Sequence, residues 1–328
     1  MTDMALVRLL EERLSGHWQS SVTIDNVKQL TGGAASQTTA FDAWAEGKLQ
    51  PLILRCGDDE HQFENALTKP TEAALLELVH QQGLPVPEVI AHIPASGVSG
   101  AGFVMRRLAG EALPKRILTD ARFATARELL AGQCGAVLAS LHNIDPRRAA
   151  MLESVSVEDD VLRYRERYRE FGQCLPVFDL AFRYLLDTPP TPRHAAIVHG
   201  DFRNGNILVD EQGLSGVLDW ELAHIGNPIE DLGWLCVNSW RFGHVDKAVG
   251  GFGDKRALLE TYNRGRETDV TERELAYWEV FGVLKWGVIC LYQSAIHLQG
   301  KQRSVERAVI GRRLSECEAD LIRLLKER

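Results

Sequence analysis

Residues 196–220, AIVHGDFRNGNILVDEQGLSGVLDW, interrupt a helical pattern that runs on both sides of them. Short apolar runs alternate there with polar turns, which reads as two or three brief strands. Upstream, ARELLAGQCGAVLASLH places Leu129, Leu130, Cys134, Val137, Leu138 and Leu141 on one helical face. Residues 159–186 and 254–328 also read as helices, and the proline cluster TPPTP at 188–192 breaks the pattern between them. The second part of the chain is therefore expected to be mainly helical with a hairpin inserted.

The first part reads differently. Residues 22–30, 37–44 and 51–56 (PLILRC) suit a three-strand meander, with Gly32 and Gly33 at its first turn. A helix follows, with Pro70 in its first turn, Glu72 favouring its N-terminal dipole and Gly83 ending it. EVIAHI at 88–93 and FVMRRL at 103–108 then form a hairpin. The fold class is α+β, with a small antiparallel β lobe plus helix ahead of a larger, mainly helical lobe. A length of 328 residues fits two such units. The expected division is 1–107 and 108–328.

Composition narrows the function. With 45% hydrophobic and 25% charged residues the chain can bury a sizeable core. A net charge of −8 disfavours nucleic acid and anionic membrane surfaces as partners. The N-terminus lacks the apolar core of a signal peptide, and Leu275–Leu298 carries Glu279, Lys285, Gln293 and His297, so it reads as a buried helix and not a membrane span. Six scattered cysteines without metal or disulfide spacing read as reduced thiols, which predicts a cytoplasmic protein.

The residues that carry chemistry lie in the insert. Asp201, Asn206 and Asp219 border short apolar strands, and five residues separate the first two. A tight loop of that length turns both side chains toward one point. An Asp and an Asn oxygen side by side suit a hard cation such as Mg²⁺, which leaves another carboxylate to accept a proton. The plainer reading is turn capping by local hydrogen bonds. Thr31–Ser36 offers Gly32, Gly33 and the Ser36 hydroxyl to a phosphate, or is an ordinary hairpin turn. The aromatics Trp278, Phe281, Trp286 and Tyr292 read as core, or as the floor of an acceptor pocket into which Glu279 or Lys285 reaches.

His-Gly-Asp with Asn five residues after the Asp, then Asp219-Trp220-Glu221 thirteen residues on, resembles the catalytic and metal loops of the aminoglycoside phosphotransferase and choline kinase family. GNPIEDLGWL at 226–235 is similar to the family segment that follows the metal loop. The chain also looks like the kinase-like domains fused to acyl-CoA dehydrogenases. The resemblance implies a two-lobed protein-kinase-like fold and transfer of the ATP γ-phosphoryl group to a hydroxyl of a small molecule.

On that resemblance, Asp201 is the base, Asn206 and Asp219 hold Mg²⁺, and Asp231 braces the catalytic loop from a helix start, or simply caps that helix. Arg55 stands where kinase-like folds place a phosphate-binding lysine, with Glu72 as its carboxylate partner; without a nucleotide the pair is a plain ion pair. Met105, in the 103–107 segment, belongs to the hinge that offers backbone groups to adenine, or to an edge strand. Glu221 replaces the glycine that follows the metal-loop Asp–aromatic pair in protein kinases, which predicts a permanently assembled site. A non-catalytic nucleotide-binding module is the alternative to an enzyme.

Overall fold

The computed structural model describes residues 4–30, 37–57, 65–95, 100–301 and 303–326. A five-stranded antiparallel sheet forms the N-terminal lobe: β1 (Val22–Leu30), β2 (Gln37–Ala45), β3 (Lys48–Cys56), β4 (Val89–Ile93) and β5 (Gly102–Arg106), in the order β1-β2-β3-β5-β4. The meander and the hairpin read from the sequence are both present.

Strand alternation sorts the side chains between two cores. Leu52 and Leu54 of β3 and Val104 of β5 face α1 (Met4–Trp18), which buries Leu10 and Leu14 against them. Ile53, Phe103 and Met105 face the other way, toward α2 (Lys69–Gln81) and the main core. The same alternation puts Arg55 on the α2 side, where it meets Glu72. Helix α2 starts as its sequence requires: Thr68 caps Thr71 N, Pro70 occupies the first turn, and Gly83 turns the chain away at φ +80°.

The second lobe begins with α3 (Pro114–Thr119), α4 (Ala124–His142), α5 (Val157–Glu170) and α6 (Pro176–Asp187). The insert is two small ladders, β6 (Ala196–Val198) with β9 (His224–Gly226), and β7 (Ile207–Asp210) with β8 (Gly213–Val217). Helices α7 (Ile229–Cys236), α8 (Lys255–Arg264), α9 (Glu272–Leu298), α10 (Val305–Gly311) and α11 (Leu314–Lys326) complete it. Thr271 and Glu274 form a capping box at the start of α9. Among the described residues α9 alone is long and apolar enough to cross a membrane, and 78% of its apolar window is buried inside the protein.

Three details depart from the sequence reading. The chain from 159 to 186 is two helices, because Gly172 at φ +61° stops α5 and Pro176 opens α6. Leu129 is 46% exposed; the buried stripe of α4 runs through Ala126, Leu130, Cys134, Leu138 and Leu141. Helix α1 received no sequence assignment, since Leu10 and Leu14 are its only buried residues.

Candidate active site

The loop between β6 and β7 owes its shape to one buried carboxylate. Asp231, in the first turn of α7, is fully buried and accepts from His199 N (2.8 Å), Gly200 N (3.0 Å) and His142 Nε2 (3.1 Å). Burial holds His142 below its ordinary pKa, so its neutral ring donates to Asp231 while Tyr262 Oη donates to Nδ1 at 2.9 Å. Gly200 sits at φ +80°, where a Cβ would lie 2.3 Å from Leu222 O, so only glycine fits. His199 bridges the two halves of the site: Nε2 donates to Leu218 O (3.0 Å), and Nδ1 accepts from Asp201 N (3.2 Å).

This frame brings Asp201, Asn206 and Asp219 together. Asn206 Nδ2 donates to Asp201 Oδ2 at 2.6 Å, and Leu218 N donates to Asn206 O at 2.8 Å, which places the Asp219 segment beside Asn206. Asp201 Oδ1 accepts from Trp234 Nε1 (2.7 Å) and Arg203 Nε (3.0 Å). Turn capping describes only part of this arrangement: Asn206 and Arg203 reach Asp201 from its own loop, whereas Trp234 reaches it from α7. Asp219 stands at φ +68° with its side chain 32% exposed.

Arg55 crosses from the small lobe to meet it. Both Nη atoms lie 3.1 Å from Asp219 Oδ1, Nη2 lies 3.1 Å from Glu221, and Nε lies 3.3 Å from Glu72. Lys69, fully buried, pairs with Glu72 at 2.8 Å and with Glu221 at 3.6 Å. Burial opposes the Arg55 charge, but Glu72, Asp219 and Glu221 outweigh it and raise its pKa. Burial likewise opposes ionisation of Asp219, and Arg55 outweighs it and holds the carboxyl below its usual range. Glu221 is pushed up to about 7 by burial, then by Asp219.

Two open oxygens remain. Among the described residues no donor reaches Asn206 Oδ1 or Asp219 Oδ2. Two cations, Arg55 and Lys69, face three carboxylates, Glu72, Asp219 and Glu221. Open hard oxygens beside the ionised Asp219 fit Mg²⁺, which binds through one or two carboxylate-type ligands and leaves its other positions to phosphate and water.

Of the remaining residues singled out from sequence, Met105 lies inside β5, in register with Ile53 on one side and Val89 on the other. Strand β5 is thus interior to the sheet and not an edge. Gly32, Gly33 and Ser36 lie outside the described residues. Glu279 and Lys285 do not reach into a pocket: Glu279 is buried between Arg241 (2.8 Å) and Lys255 (2.5 Å), and Lys285 is buried on Glu230 (2.9 Å) and Gly200 O (3.4 Å). Lys69, Arg203 and Trp234 were not singled out as site residues. For Trp234 the only sequence signal is its place in the GNPIEDLGWL segment.

The Lys285–Glu230 pair extends to His224, whose Nε2 lies 3.2 Å from Glu230. Burial opposes the imidazolium, but Glu230 outweighs it and lifts His224 from 6.5 to about 9. A base raised on folding stabilises the fold fully below its unfolded pKa and loses that contribution as pH climbs through the folded value. Asp160 and Glu221 titrate at about 6 and about 7, so the interval above neutrality reports mainly on His224. Stability is expected to drop by about 2 kcal/mol between roughly pH 7 and 9.5. Urea unfolding at both pH values tests this; the drop should vanish in His224→Gln, and a flat wild-type response would refute it.

Comparison with known proteins places this geometry in a family. Residues 26–268 match the phosphotransferase enzyme family. Acyl-CoA dehydrogenase family member 11 of Gallus gallus is 26% identical over 240 residues, covering 70% of this chain and 30% of that protein. The chain spans less than a third of the acyl-CoA dehydrogenase relatives it matches. A Ralstonia eutropha protein provisionally described as an aminoglycoside phosphotransferase superposes with a TM-score of 0.77 at 20% identity, covering 98% of each chain. Spectinomycin phosphotransferase, solved with ADP and spectinomycin, superposes with a TM-score of 0.66 at 15% identity over 99% of this chain and 98% of that one. The two-lobed kinase-like fold is common to these structures, and with a match running from β1 into the segment after α8 the chain belongs to the phosphotransferase enzyme family.

Proposed function

We propose that this chain transfers the γ-phosphoryl group of ATP to a hydroxyl of a small molecule. One observation carries the reading: two open oxygens, Asn206 Oδ1 and Asp219 Oδ2, stand beside a carboxylate, Asp201, that is fixed by three donors. A carboxylate has about four lone-pair sites. Three are used, which leaves one for the acceptor hydroxyl. Asp201 takes the hydroxyl proton as the acceptor oxygen bonds to the γ-phosphorus and the bridging P–O bond breaks to release ADP.

Asn206 and Asp219 would hold magnesium, which when bound neutralises charge on the phosphate oxygens. Arg55, anchored by Glu72, is the residue assigned to the α- and β-phosphates, and its bidentate fork suits them. Gly32, Gly33 and Ser36 would cover the phosphates, and Met105 would back the adenine. Residues 1–107 thus carry the nucleotide and 108–328 the acceptor. The ADP and spectinomycin bound by a structural relative support a nucleotide with a small acceptor.

A non-catalytic module is the second reading, favoured by the engagement of Asp219 Oδ1 by both Arg55 Nη atoms. Thermal unfolding with Mg²⁺ and a non-hydrolysable ATP analogue separates the two. A ligand at a hundred times its Kd adds about 2.7 kcal/mol to the folded state. A magnesium-dependent rise in wild type that is absent in Asp219→Ala is the expected result. No rise at ligand levels well above a millimolar would move the assignment to the second reading.

A further inference from the structure

The two oxygens of Asp201 face different chemistry. Oδ2 is held by Asn206, on the side of the open oxygens. Oδ1 is held by Arg203 and Trp234, so the lone pair left for the acceptor hydroxyl is on Oδ2, with Arg203 on the other oxygen of the same carboxylate. The Arg203 guanidinium lies 4.5 Å above the Trp240 ring, and Trp240 packs on Trp234 (5.2 Å) and Trp286 (4.8 Å). The Arg203 side chain is 24% exposed. Among the described residues its Nη2 has no partner, and its Nη1 has only a long contact of 3.4 Å to Asn204 O.

This wall has donors in excess. Among the described residues the indole N–H groups of Trp240 and Trp286 also lack acceptors, but they are buried, so the donors open to a ligand are those of Arg203. Among the described residues no carboxylate other than Asp201 pairs with Arg203, and the acidic Glu279 is neutralised by Arg241 and Lys255. Asp201 already offsets the Arg203 charge, so what the open Nη atoms offer is a fork of donors, which suits an oxyanion and gives an ammonium group no acceptor.

Building on the phosphotransferase reading above, we propose that the acceptor carries an oxyanion, a carboxylate or phosphate, close to its reacting hydroxyl, and that Arg203 binds it. The bond changes are those already given, with the hydroxyl proton passing to Asp201; Arg203 makes and breaks no bond.

ADP release with Mg·ATP tests this on four arms: D-glycerate and 3-hydroxybutyrate as carboxylates, glycerol 3-phosphate as the phosphate, glycerol and glyceramide as neutral analogues, and choline and kanamycin as cations. Turnover is expected in a carboxylate or phosphate arm, and the arm that responds identifies the oxyanion. Arg203→Gln should raise KM for that acceptor about 10- to 100-fold, and Arg203→Lys should recover part of the loss. Three results overturn the proposal: turnover confined to neutral or cationic acceptors, an equal kcat loss in every arm for Arg203→Gln, or no turnover in any arm by a protein that Mg·ATP stabilises. Absence of that stabilisation removes the phosphotransferase reading itself, and this inference with it.

Discussion

Asp201→Asn is expected to lower kcat by about 10²- to 10⁴-fold, the usual contribution of a positioned general base, while magnesium-dependent nucleotide binding survives. Asn206 and Asp219 keep their open oxygens in this variant, so the nucleotide side of the site stays intact. The substitution is not silent for stability. Donors stand on both oxygens of Asp201: Asn206 Nδ2 on Oδ2, and Trp234 Nε1 with Arg203 Nε on Oδ1. An amide has one acceptor oxygen, so whichever way it turns, its NH₂ meets a donor. A modest fall in unfolding temperature should accompany the loss of turnover. Single-turnover rates with a nucleotide-bound thermal shift on the same sample check both halves. Wild-type turnover in Asp201→Asn would remove Asp201 as the base.

The parts of this site that were legible in the sequence are the parts whose geometry is local. Asp201 and Asn206 share one loop, and Asp219 follows the next hairpin, so spacing alone places them near one another. Thr68, Pro70 and Gly83 bound α2 through rules that act over a few residues. Arg203 was also local, but the ring it lies over was not: Trp240 comes from the segment after α7, beyond reach of a periodicity argument. The same holds for Lys69, buried against Glu221 from the far lobe, and for Trp234, whose indole N–H meets Asp201. For this reason the sequence left Glu279 and Lys285 open between the core and an acceptor pocket. Charged residues on an apolar helix suggest a ligand until their partners are known, and here Arg241, Lys255 and Glu230 satisfy them. Buried charge is expensive unless paired, so a buried Lys or Glu in a sequence announces a partner without saying which.

Asp231 is the residue whose loss should cost the fold most. Its two oxygens accept from three buried donors: His199 N and His142 Nε2 on Oδ2, and Gly200 N on Oδ1. None of the three has water as a substitute partner, since Asp231, His199 and His142 are all buried. Asp231→Ala leaves every one of them unsatisfied, and each orphaned group costs about 1–3 kcal/mol. Local relaxation recovers part of that sum, so a loss of about 3–5 kcal/mol is expected, the range seen when one partner of a buried charged network is removed. Asp231→Asn keeps one acceptor oxygen and should cost less. The effect on function follows from the same bonds. His199 N and Gly200 N belong to the loop that aims Asp201, and His199 also ties that loop to Leu218 beside Asp219. Loosening it spreads Asp201, Asn206 and Asp219 over several arrangements, so the folded fraction of Asp231→Ala should turn over slowly even where urea unfolding shows it native. A variant as stable as wild type would mean that the loop is held by its own turns, with α7 as a bystander. A destabilised variant with full turnover per folded molecule would separate stability from aim and leave His199 as the residue that sets the loop.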